Sequence, residues 1–263
     1  MMISPLANVH PDAKVAEGVV VEPFAVIHKD VEIGEGTWIG SHTVICDGAR
    51  IGKKCEVHPG AVISGVPQDL KFEGEVTTCE IGDNTIIREC VTISRGTKDK
   101  LKTVIGNNVL LMAYVHVAHD CIIGDRCIVA NAVQIAGHCT INEWAIIGGT
   151  TAIHQFVTIG KHAMVAGGAR LGKDVPPYVL TTRVPAGFAG VNTLGLRRRG
   201  FSNDKIREIQ EVYKAFYEEG RNITQSISFV EENVVSSEVR DEILAFIKGS
   251  DRGVLRLVKE DYT

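Results

Sequence analysis

Four histidines and one aspartate between residues 116 and 154 are the side chains best suited to chemistry in this 263-residue chain. His119 is followed at once by Asp120, and a carboxylate beside an imidazole can fix its tautomer and stabilise its protonated form. Such a pair can act as a general base toward a hydroxyl group. Because His-Asp is a common pair, it indicates a site only if His116, His138 and His154 lie close to it, and that depends on the fold.

Aliphatic residues recur every six positions from Val9 to Leu171, at 25 of 28 positions, and the count keeps its phase across the polar segments 64–80 and 94–104. A smaller residue follows most of them four positions later. This hexapeptide pattern is typical of a parallel β-helix. We therefore predict a mainly β fold, a left-handed parallel β-helix in which three hexads close a coil of 18 residues and the two polar segments are loop insertions.

The period also predicts where each histidine lies around the coil. Dividing the residue numbers of His116, His119, His138 and His154 by 18 leaves 8, 11, 12 and 10, so the four share one edge of the prism on three successive coils. Coils stack at about 4.8 Å, which puts the four within roughly 10 Å along the axis. None of them is in an inward column, so we predict a functional site rather than core histidines.

Histidines on adjacent coils could instead bind zinc, as in the hexapeptide-repeat carbonic anhydrases. Those enzymes pair histidines five residues apart on one coil with a third on the next, whereas His116 and His119 are three apart. The sequence therefore favours a site without a metal or another cofactor. The zinc enzyme and a purely structural solenoid are the less favoured alternatives.

The repeat ends near two adjacent prolines, Pro176 and Pro177, and the pattern turns helical from Ser202. We predict helices after an N-cap at Ser202, around 227–234, and from about 237 to 248. Residues 1–190 are then the β-helix and residues 191–263 a helical C-terminal domain that covers its open end.

Composition excludes several classes of protein. A net charge of −4 argues against a general nucleic-acid partner. No apolar run is long enough for a membrane span, and the first residues do not resemble a signal peptide. Four of the seven cysteines fall in the small inward column, so we expect reduced thiols and a cytoplasmic protein.

One outward column of the prism is apolar, which a solvated surface does not need. Its members are Val20, Trp38, Leu110, Ile128, Ile146 and Met164. We predict a subunit interface there, most simply in a closed ring. Residues 170–199 also carry six basic side chains and one acidic one, either as a solvated surface or as an anion site.

Several local motifs occur in a specific order, namely Gln68-Asp-Leu-Lys71, His116-Val-Ala-His-Asp-Cys121, Ala136-Gly-His138, His154-Gln-Phe156, Asp174-Val-Pro-Pro-Tyr178 and Gly190-Val-Asn-Thr-Leu-Gly-Leu-Arg-Arg-Arg-Gly-Phe201. Together they resemble the acyl-carrier-protein-dependent UDP-N-acetylglucosamine O-acyltransferases, which open lipid A biosynthesis. The resemblance covers the whole chain.

The resemblance implies a reaction and a role for three residues. His119 would deprotonate the 3-hydroxyl of UDP-N-acetylglucosamine, which then attacks the thioester of a 3-hydroxyacyl chain on acyl carrier protein. Asp120 would support His119, and the backbone N–H of Gly137 would stabilise the oxyanion. No covalent acyl-enzyme is expected.

The resemblance also implies substrate contacts and a homotrimer with sites between subunits. The sugar and diphosphate would contact Gln68, Asp69, Lys71, His116, His138, His154 and Gln155, and the nucleotide and phosphates would contact Asn192, Arg198 and Arg199. Glycine at position 167 implies a long acyl chain.

Two residues depart from the family pattern. Ser94 stands where histidine is usual, and Leu194 stands where an acidic residue often lies near the nucleotide. Neither carries the base, so we expect altered substrate contacts. A 3-amino UDP-sugar acceptor is therefore an open alternative.

Overall fold

The chain forms a left-handed parallel β-helix followed by four α-helices, in a computed structural model that describes residues 2–218 and 220–257. Three sheets, called A, B and C, make the three sides of the prism. The predicted fold class is confirmed.

The strands are short, and each sheet takes every third one along most of the chain. Sheet A contains β1 Met2–Ile3, β4 Val20–Val21, β7 Trp38–Ile39, β10 Glu56–Val57, β13 Ile86–Ile87, β16 Leu110–Leu111, β19 Ile128–Val129, β22 Ile146–Ile147, β25 Met164–Val165, β27 Val179–Thr181 and β28 Phe188–Val191. Sheet B contains β2 Asn8–Val9, β5 Val26–Ile27, β8 Val44–Ile45, β11 Val62–Gly65, β14 Thr92–Ser94, β17 His116–Val117, β20 Gln134–Ile135, β23 Ala152–Ile153 and β26 Arg170–Leu171. Sheet C contains β3 Lys14–Val15, β6 Glu32–Ile33, β9 Ala49–Ile51, β12 Thr78–Ile81, β15 Lys102–Ile105, β18 Ile122–Ile123, β21 Thr140–Ile141 and β24 Thr158–Ile159.

The coils stack in a strict register. Paired residues in adjacent coils are usually 18 positions apart, as are Val21 and Ile39. Across the first insertion Val57 pairs with Ile87, and 87 − 57 = 30, which is 18 plus two hexads. Across the second, Ile87 pairs with Leu111, and 111 − 87 = 24, which is 18 plus one hexad. Both insertions are therefore whole numbers of hexads, as predicted.

Residues at the three corners of a coil adopt a left-handed backbone conformation. We name each corner by the sheets that it joins. The BC corner includes Asp120, His138 and Phe156, the CA corner includes Arg126, Trp144 and His162, and the AB corner includes Tyr114, Ala132 and Thr150.

Two loops, residues 66–77 and 95–101, leave the prism at the BC corner in successive coils. Each follows a strand of sheet B and precedes a strand of sheet C. The Arg95 guanidinium lies 5.4 Å from the centroid of the Phe72 ring, a cation–π contact between the loops. The loops therefore support one another beside the edge that carries the histidines.

The interior is filled by one large and one small side chain from each hexad. Ile123 and Ile135 represent the large column, and Cys121, Cys127 and Cys139 the small one, all with at most 1% of their surface exposed. The cysteines are free thiols. Burial raises the pKa of Cys127 to about 12, so its thiol stays protonated and unreactive.

The C-terminal part consists of α1 Thr193–Arg198, α2 Asn203–Phe216, α3 Ile223–Asn233 and α4 Glu238–Lys248. The Ser202 hydroxyl accepts a hydrogen bond from the Lys205 N–H at 3.1 Å, which confirms the predicted N-cap of α2. The Tyr213 hydroxyl donates to the carbonyl oxygen of Pro177 at 2.6 Å and fastens α2 to the end of the β-helix. Within the described residues, no helix has the length and apolarity that crossing a bilayer requires.

The outward faces of the sheets differ in polarity. On sheet A the outward ladder is Val20, Trp38, Glu56, Ile86, Leu110, Ile128, Ile146 and Met164, all half-exposed except the exposed Glu56. On sheet C the outward residues Lys14 and Glu32 form an ion pair at 2.8 Å, and Arg50 approaches Glu32 at 3.8 Å. The predicted apolar column is thus a continuous ladder with one acidic interruption, whereas sheet C starts with charged residues suited to solvent.

Because the coils stack closely, we expect the effect of replacing a glycine to depend on how near the next coil lies. A β-carbon on Gly82 would lie 2.7 Å from the carbonyl carbon of Gly106, whereas one on Gly172 would meet nothing within 4 Å. We expect Gly82→Ala to lower the free energy of unfolding by about 1–3 kcal/mol, because backbone must shift, and Gly172→Ala to change it by less than about 0.5 kcal/mol. Denaturant titration of both variants measures this; equal effects would contradict it.

Candidate active site

His119 and Asp120 form a hydrogen-bonded pair at the BC corner, with Nδ1 of the imidazole 2.8 Å from Oδ2 of the carboxylate. An ionised carboxylate only accepts hydrogen bonds, so Nδ1 is the donor and, in the neutral imidazole, Nε2 is the acceptor. A β-carbon on Gly137 would lie 2.8 Å from Nε2, so that nitrogen faces the Gly137 backbone. The pair therefore presents a proton acceptor whose tautomer is fixed.

The Asp120 carboxylate is fully buried and holds the 95–101 loop. It accepts hydrogen bonds from the Thr97 hydroxyl at 2.6 Å, the Thr97 N–H at 3.0 Å and the Lys100 N–H at 3.2 Å, besides that from His119. Burial by itself raises the pKa of Asp120, but the hydrogen bonds from Thr97, His119 and Lys100 outweigh it and lower the pKa below its usual range. The carboxylate is therefore anionic at neutral pH.

Thr97 and Lys100 are site residues that the sequence analysis missed. The insertion that contains them begins after a sheet B strand, and its phase places it at the BC corner with His119. That phase is visible in the sequence, so the loop could have been predicted to lie beside the site. Which loop donors reach Asp120 depends on the path of the loop, and the period does not determine it.

Gly137 packs directly against the His119 ring. A β-carbon there would be 2.7 Å from Cε1 of the imidazole, too close for any residue other than glycine unless the ring moves. The Gly137 carbonyl accepts from the Phe156 N–H at 3.2 Å, while among the described residues no acceptor is recorded for the Gly137 N–H. A free backbone donor beside the imidazole suits the stabilisation of an oxyanion.

Five of the predicted residues line one open cavity of about 320 Å³, namely Gln68, His116, His119, Gly137 and Gln155. The structure therefore brings the first loop, the dyad and the glycine together as predicted. The other walls are mostly small or aliphatic side chains of sheet B.

His116 lies on the strand that leads to the dyad. Its Nδ1 is 2.8 Å from the Thr92 hydroxyl. Burial, and to a smaller extent the nearby His119, lower its pKa, so the His116 ring is neutral at pH 7. A neutral ring at the cavity wall can hydrogen-bond to a sugar hydroxyl without competing for the proton.

His138 lies one coil beyond the dyad at the same corner. Its ring stacks on Phe156, with centroids 4.5 Å apart, and meets the His119 ring edge-on at 5.0 Å. Its Nδ1 lies 3.1 Å from Oδ2 of Asp99, though not in hydrogen-bonding geometry. His138 thus packs against the His119 ring at the edge of the cavity and is not among the residues that line it.

Three predicted residues lie near the BC corner but outside the cavity lining. Asp69 accepts a hydrogen bond from the Lys71 N–H at 3.0 Å and so shapes its own loop, while the Lys71 side chain is exposed. His154 is exposed, with Nδ1 3.2 Å from the carbonyl oxygen of Gln155. In a single chain these groups border the site without enclosing it.

The predicted nucleotide residues lie at a different corner. Asn192 donates to the carbonyl oxygen of His162 at 3.0 Å, and the Arg199 guanidinium lies 3.1 Å from Nδ1 of His162, at the CA corner. Arg198 is exposed in α1. These residues do not contact the cavity beside His119 within one chain.

Gly167 lies at the third corner, next to the AB corner residue Gly168. A β-carbon on Gly167 would be 3.2 Å from the carbonyl oxygen of Gly149, so a side chain would fill space along that corner. The predicted site residues are thus distributed over all three corners of the prism.

A metal centre at the dyad would use His119 and Asp120, which already have hydrogen-bond partners, together with His138. Ligand atoms of His119, Asp120 and His138 lie within 4.8 Å of one another. However, Asp120 accepts four hydrogen bonds, one of them from His119. Metal binding would displace these donors, so the donor set fits a hydrogen-bonded dyad better than zinc.

The two departures from the family pattern have different surroundings. Ser94 is buried and lines the cavity, so the departure from histidine changes the wall of that cavity. Leu194 is 59% exposed in α1, close to Asn192 in sequence.

Comparisons with known proteins agree along the whole chain. A family model described as Udp N-acetylglucosamine O-acyltransferase, domain 2, matches residues 174–255, and a model of the bacterial transferase hexapeptide matches residues 30–65 and 102–137. The acyl-[acyl-carrier-protein]–UDP-N-acetylglucosamine O-acyltransferase of Chlorobaculum parvum is 56% identical over 207 residues, 78% of each chain. That of Trichlorobacter lovleyi is 49% identical over 260 residues, 97% of this chain and 100% of the relative.

Solved structures show the same similarity. The UDP-N-acetylglucosamine acyltransferase of Bacteroides fragilis superimposes with a TM-score of 0.95 at 47% identity, over 97% of this chain and 100% of the other. The Francisella novicida protein of the same description gives 0.93 at 42% identity, over 97% of this chain and 94% of the other.

The buried Asp120 carboxylate gives a pH-dependent stability prediction. We expect Asp120→Asn to lower the free energy of unfolding by about 3 kcal/mol at pH 7, because an amide cannot accept all four hydrogen bonds. The folded pKa is below the unfolded value of about 3.9, so the stabilisation is complete above that value and is lost as the pH falls through the folded pKa. The difference between wild type and variant should therefore shrink in acid.

Asp99→Asn is the matched control, because the Asp99 side chain is 62% exposed. Denaturant titration of the three proteins at pH 7 and at acid pH measures the effect. A difference for Asp120→Asn no larger than the control's at pH 7, or one that does not shrink in acid, would contradict the assignment.

Proposed function

We infer the reaction from family membership, because the chain belongs to the acyl-[acyl-carrier-protein]–UDP-N-acetylglucosamine O-acyltransferases and is an acyltransferase. It acylates UDP-N-acetylglucosamine in the first step of lipid A biosynthesis. We propose that the donor is a 3-hydroxyacyl chain on acyl carrier protein and the acceptor is the 3-hydroxyl of the sugar. The observation that carries the mechanism is the 2.8 Å hydrogen bond between Nδ1 of His119 and Oδ2 of Asp120, which leaves Nε2 as the ring nitrogen available to accept a proton in the cavity.

His119 is the proposed general base. Its Nε2 takes the proton from the sugar 3-hydroxyl as the oxygen attacks the thioester carbonyl carbon. The carbonyl oxygen becomes an oxyanion and accepts a hydrogen bond from the Gly137 N–H. When the tetrahedral intermediate collapses, the carbon–sulfur bond breaks and the imidazolium returns its proton to the thiolate. The products are the 3-O-acyl sugar nucleotide and free carrier thiol.

Asp120 stabilises the charge that forms on His119. Its lowered pKa keeps the carboxylate anionic beside the imidazolium, and its full burial strengthens that interaction. The remaining hydrogen bonds from the 95–101 loop prevent the carboxylate from turning away. The imidazole is therefore oriented before substrate binds.

We propose that the sugar and diphosphate bind beside the dyad. Gln68, His116 and Gln155 line the cavity already. Asp69, Lys71, His138 and His154 border it and would contact the substrate from the loop side and the next coil. Ser94 changes the shape of the same wall, which is the observation that leaves a 3-amino acceptor as the second candidate.

A homotrimer would join the separated corners into one site. Asn192, Arg198 and Arg199 lie at the CA corner, away from the dyad at the BC corner. In a three-fold ring in which sheet A of one subunit faces sheet B of the next, the CA corner of one subunit approaches the BC corner of its neighbour. The nucleotide would then be bound by one subunit while its sugar reacts on another.

The outward residues of the sheets support that arrangement. Sheet A carries the apolar ladder, and sheet B presents half-exposed Val26, Val44 and Val62. Sheet C carries the charged pairs of Lys14, Glu32 and its neighbours. Faces A and B are thus suited to contact and face C to solvent, which puts the AB corner at the three-fold axis.

Gly167 is the proposed determinant of acyl-chain length. It lies beside the AB corner, where the interface between subunits would enclose the chain. A side chain at this position would occupy part of that space, so glycine leaves room for a long chain. Discrimination of this kind is worth about 1–3 kcal/mol per methylene.

Two further proposals concern organisation and location. The chain divides near residue 190, where β28 ends and α1 begins, into a β-helix and a helical C-terminal domain; residues 258–263 of the second part lie outside the described residues. We place the reaction in the cytoplasm, because free cysteines persist in a reducing compartment.

Replacing His119 tests the reaction directly. We expect His119→Ala to lower kcat by about 10²–10⁴-fold, the usual contribution of a general base, with the fold and oligomer unchanged. His28→Ala is the matched control, since His28 is an exposed histidine on a distant coil whose Nδ1 lies 3.8 Å from Oδ2 of Asp47, beyond hydrogen-bond distance. The assay uses 3-hydroxyacyl carrier proteins of graded length with UDP-N-acetylglucosamine and its 3-amino analogue.

Loss of transfer in His119→Ala alone supports the mechanism, and the donor panel gives the preferred chain length. Wild-type turnover by His119→Ala would remove it as the base. Faster transfer to the 3-amino analogue would favour the second acceptor.

The trimer prediction uses a pair of isoleucines from one coil. Ile128 points outward from sheet A and Ile122 from sheet C. We expect Ile128→Glu to dissociate the trimer, because it places a charge in an apolar contact, and Ile122→Glu to leave it intact. Light scattering after size exclusion measures both. If both variants remained trimeric, the interface would not lie on the outward face of sheet A.

A further inference from the structure

His162 lies in the centre of an aromatic stack at the CA corner, whereas the dyad lies at the BC corner. Its ring is parallel to those of Trp144 and Tyr178, with centroids 6.1 Å and 5.7 Å away, and Phe201 meets it edge-on at 5.0 Å. Only 8% of the residue is exposed. The stack fixes both the position and the plane of the imidazole.

The hydrogen bond from Arg199 defines the protonation state of His162. Nη1 of the guanidinium lies 3.1 Å from Nδ1 of the ring. Arginine has only donors, so Nδ1 must be an unprotonated acceptor. Burial, with the charges of Arg199 and Lys161, lowers the pKa of His162 to about 4. The ring is therefore neutral at physiological pH.

Arg199 is held without losing its charge. Its guanidinium carbon lies 5.3 Å from the Trp144 ring centroid, and that of Arg126 lies 4.9 Å from the same centroid. Among the described residues, no carboxylate lies within ion-pair distance of Arg199. A neutral acceptor and an aromatic face thus orient a cation that is not neutralised by a protein anion.

Asn192 also binds His162, but through the main chain. Its side-chain amide donates to the main-chain carbonyl oxygen of His162 at 3.0 Å, and its Oδ1 accepts from the Gly195 N–H at 3.2 Å, capping α1. His162 therefore positions two of the proposed nucleotide-binding residues. Its main-chain carbonyl binds Asn192, and its imidazole binds Arg199. A side-chain substitution breaks only the second link.

We propose that His162 is a positioning residue for substrate binding, a neutral acceptor that aims the Arg199 guanidinium at the diphosphate of the nucleotide sugar while leaving its charge available. A carboxylate in the same place would hold the guanidinium equally well but would neutralise it. This inference rests on the role proposed above for Arg199.

Two substitutions separate the acceptor from the stack. His162→Phe keeps a ring for stacking and removes the acceptor, whereas His162→Asn keeps an acceptor oxygen near the place of Nδ1. We expect His162→Phe to raise the Kd and KM for UDP-N-acetylglucosamine about tenfold, with a smaller change in kcat, because phosphate contacts bind ground and transition states alike. His162→Asn should stay within about threefold of the wild-type Kd.

A double-mutant cycle links the effect to Arg199. Calorimetric titration of intact protein with UDP-N-acetylglucosamine is made for Arg199→Ala, His162→Phe and the double variant. We expect the double variant to bind no more weakly than Arg199→Ala, because the imidazole acts only through the guanidinium. An added loss from His162→Phe in the Arg199→Ala background would overturn the inference.

The isosteric pair His162→Asn and His162→Asp tests charge without a change of size. We expect Asp to bind the nucleotide sugar more weakly than Asn, because its carboxylate neutralises Arg199. Equal binding by these two, or wild-type binding by His162→Phe while Arg199→Ala binds weakly, overturns the positioning role alone. Wild-type binding by Arg199→Ala overturns instead the proposed contact between Arg199 and the diphosphate, and the inference with it.

Discussion

The six-residue repeat fixes the direction of every side chain in the β-helix, and the rest of the molecule is arranged around it. Each coil pairs with the next through main-chain hydrogen bonds, so a shift that is not a multiple of six would carry inward residues to another face. The insertions obey this constraint, as the pairing of Val57 with Ile87 and of Ile87 with Leu111 shows. Because both insertions begin after a sheet B strand, both loops emerge at the corner of the dyad. The repeat thus brings distant residues together without a globular core.

The buried charge of Asp120 connects this scaffold to the chemistry. A carboxylate without solvent is costly unless every lone pair is used, and Asp120 meets that condition with donors from His119 and the 95–101 loop. The same hydrogen bonds leave Nε2 of His119 as the free acceptor. Gly137 completes the arrangement, because any larger residue would push the imidazole away. The fold therefore orients the proposed base before any substrate binds.

The features that depend only on the six-residue period could be predicted from the sequence. Stepping by 18 placed His116 and His119 on the cavity, and the helical pattern with its cap at Ser202 located α2. Counting by 18 from Trp38 missed Ile86, because the first insertion shifts that coil by two hexads. The donors to Asp120 were missed because they depend on the path of a loop.

The separation of Arg199 from the dyad also could not be predicted from the sequence. The resemblance assigned both to one substrate, but only the structure shows that they occupy different corners, which is what makes a second subunit necessary in this account. The sequence analysis did not single out His162, since a position around the coil does not reveal an aromatic stack. Periodic patterns predict direction well, but contacts at corners and loop tips need the coordinates.

The central claim is that Nε2 of His119 takes the proton of the sugar 3-hydroxyl while Nδ1 remains bound to Asp120. A crystal structure of the protein with UDP-N-acetylglucosamine tests it most directly. The account predicts the 3-hydroxyl oxygen about 2.6–3.2 Å from Nε2, the Nδ1 to Oδ2 hydrogen bond retained, and Arg199 of another subunit at the diphosphate. A 3-hydroxyl that meets a different group, or an imidazole that has left Asp120, would contradict the account.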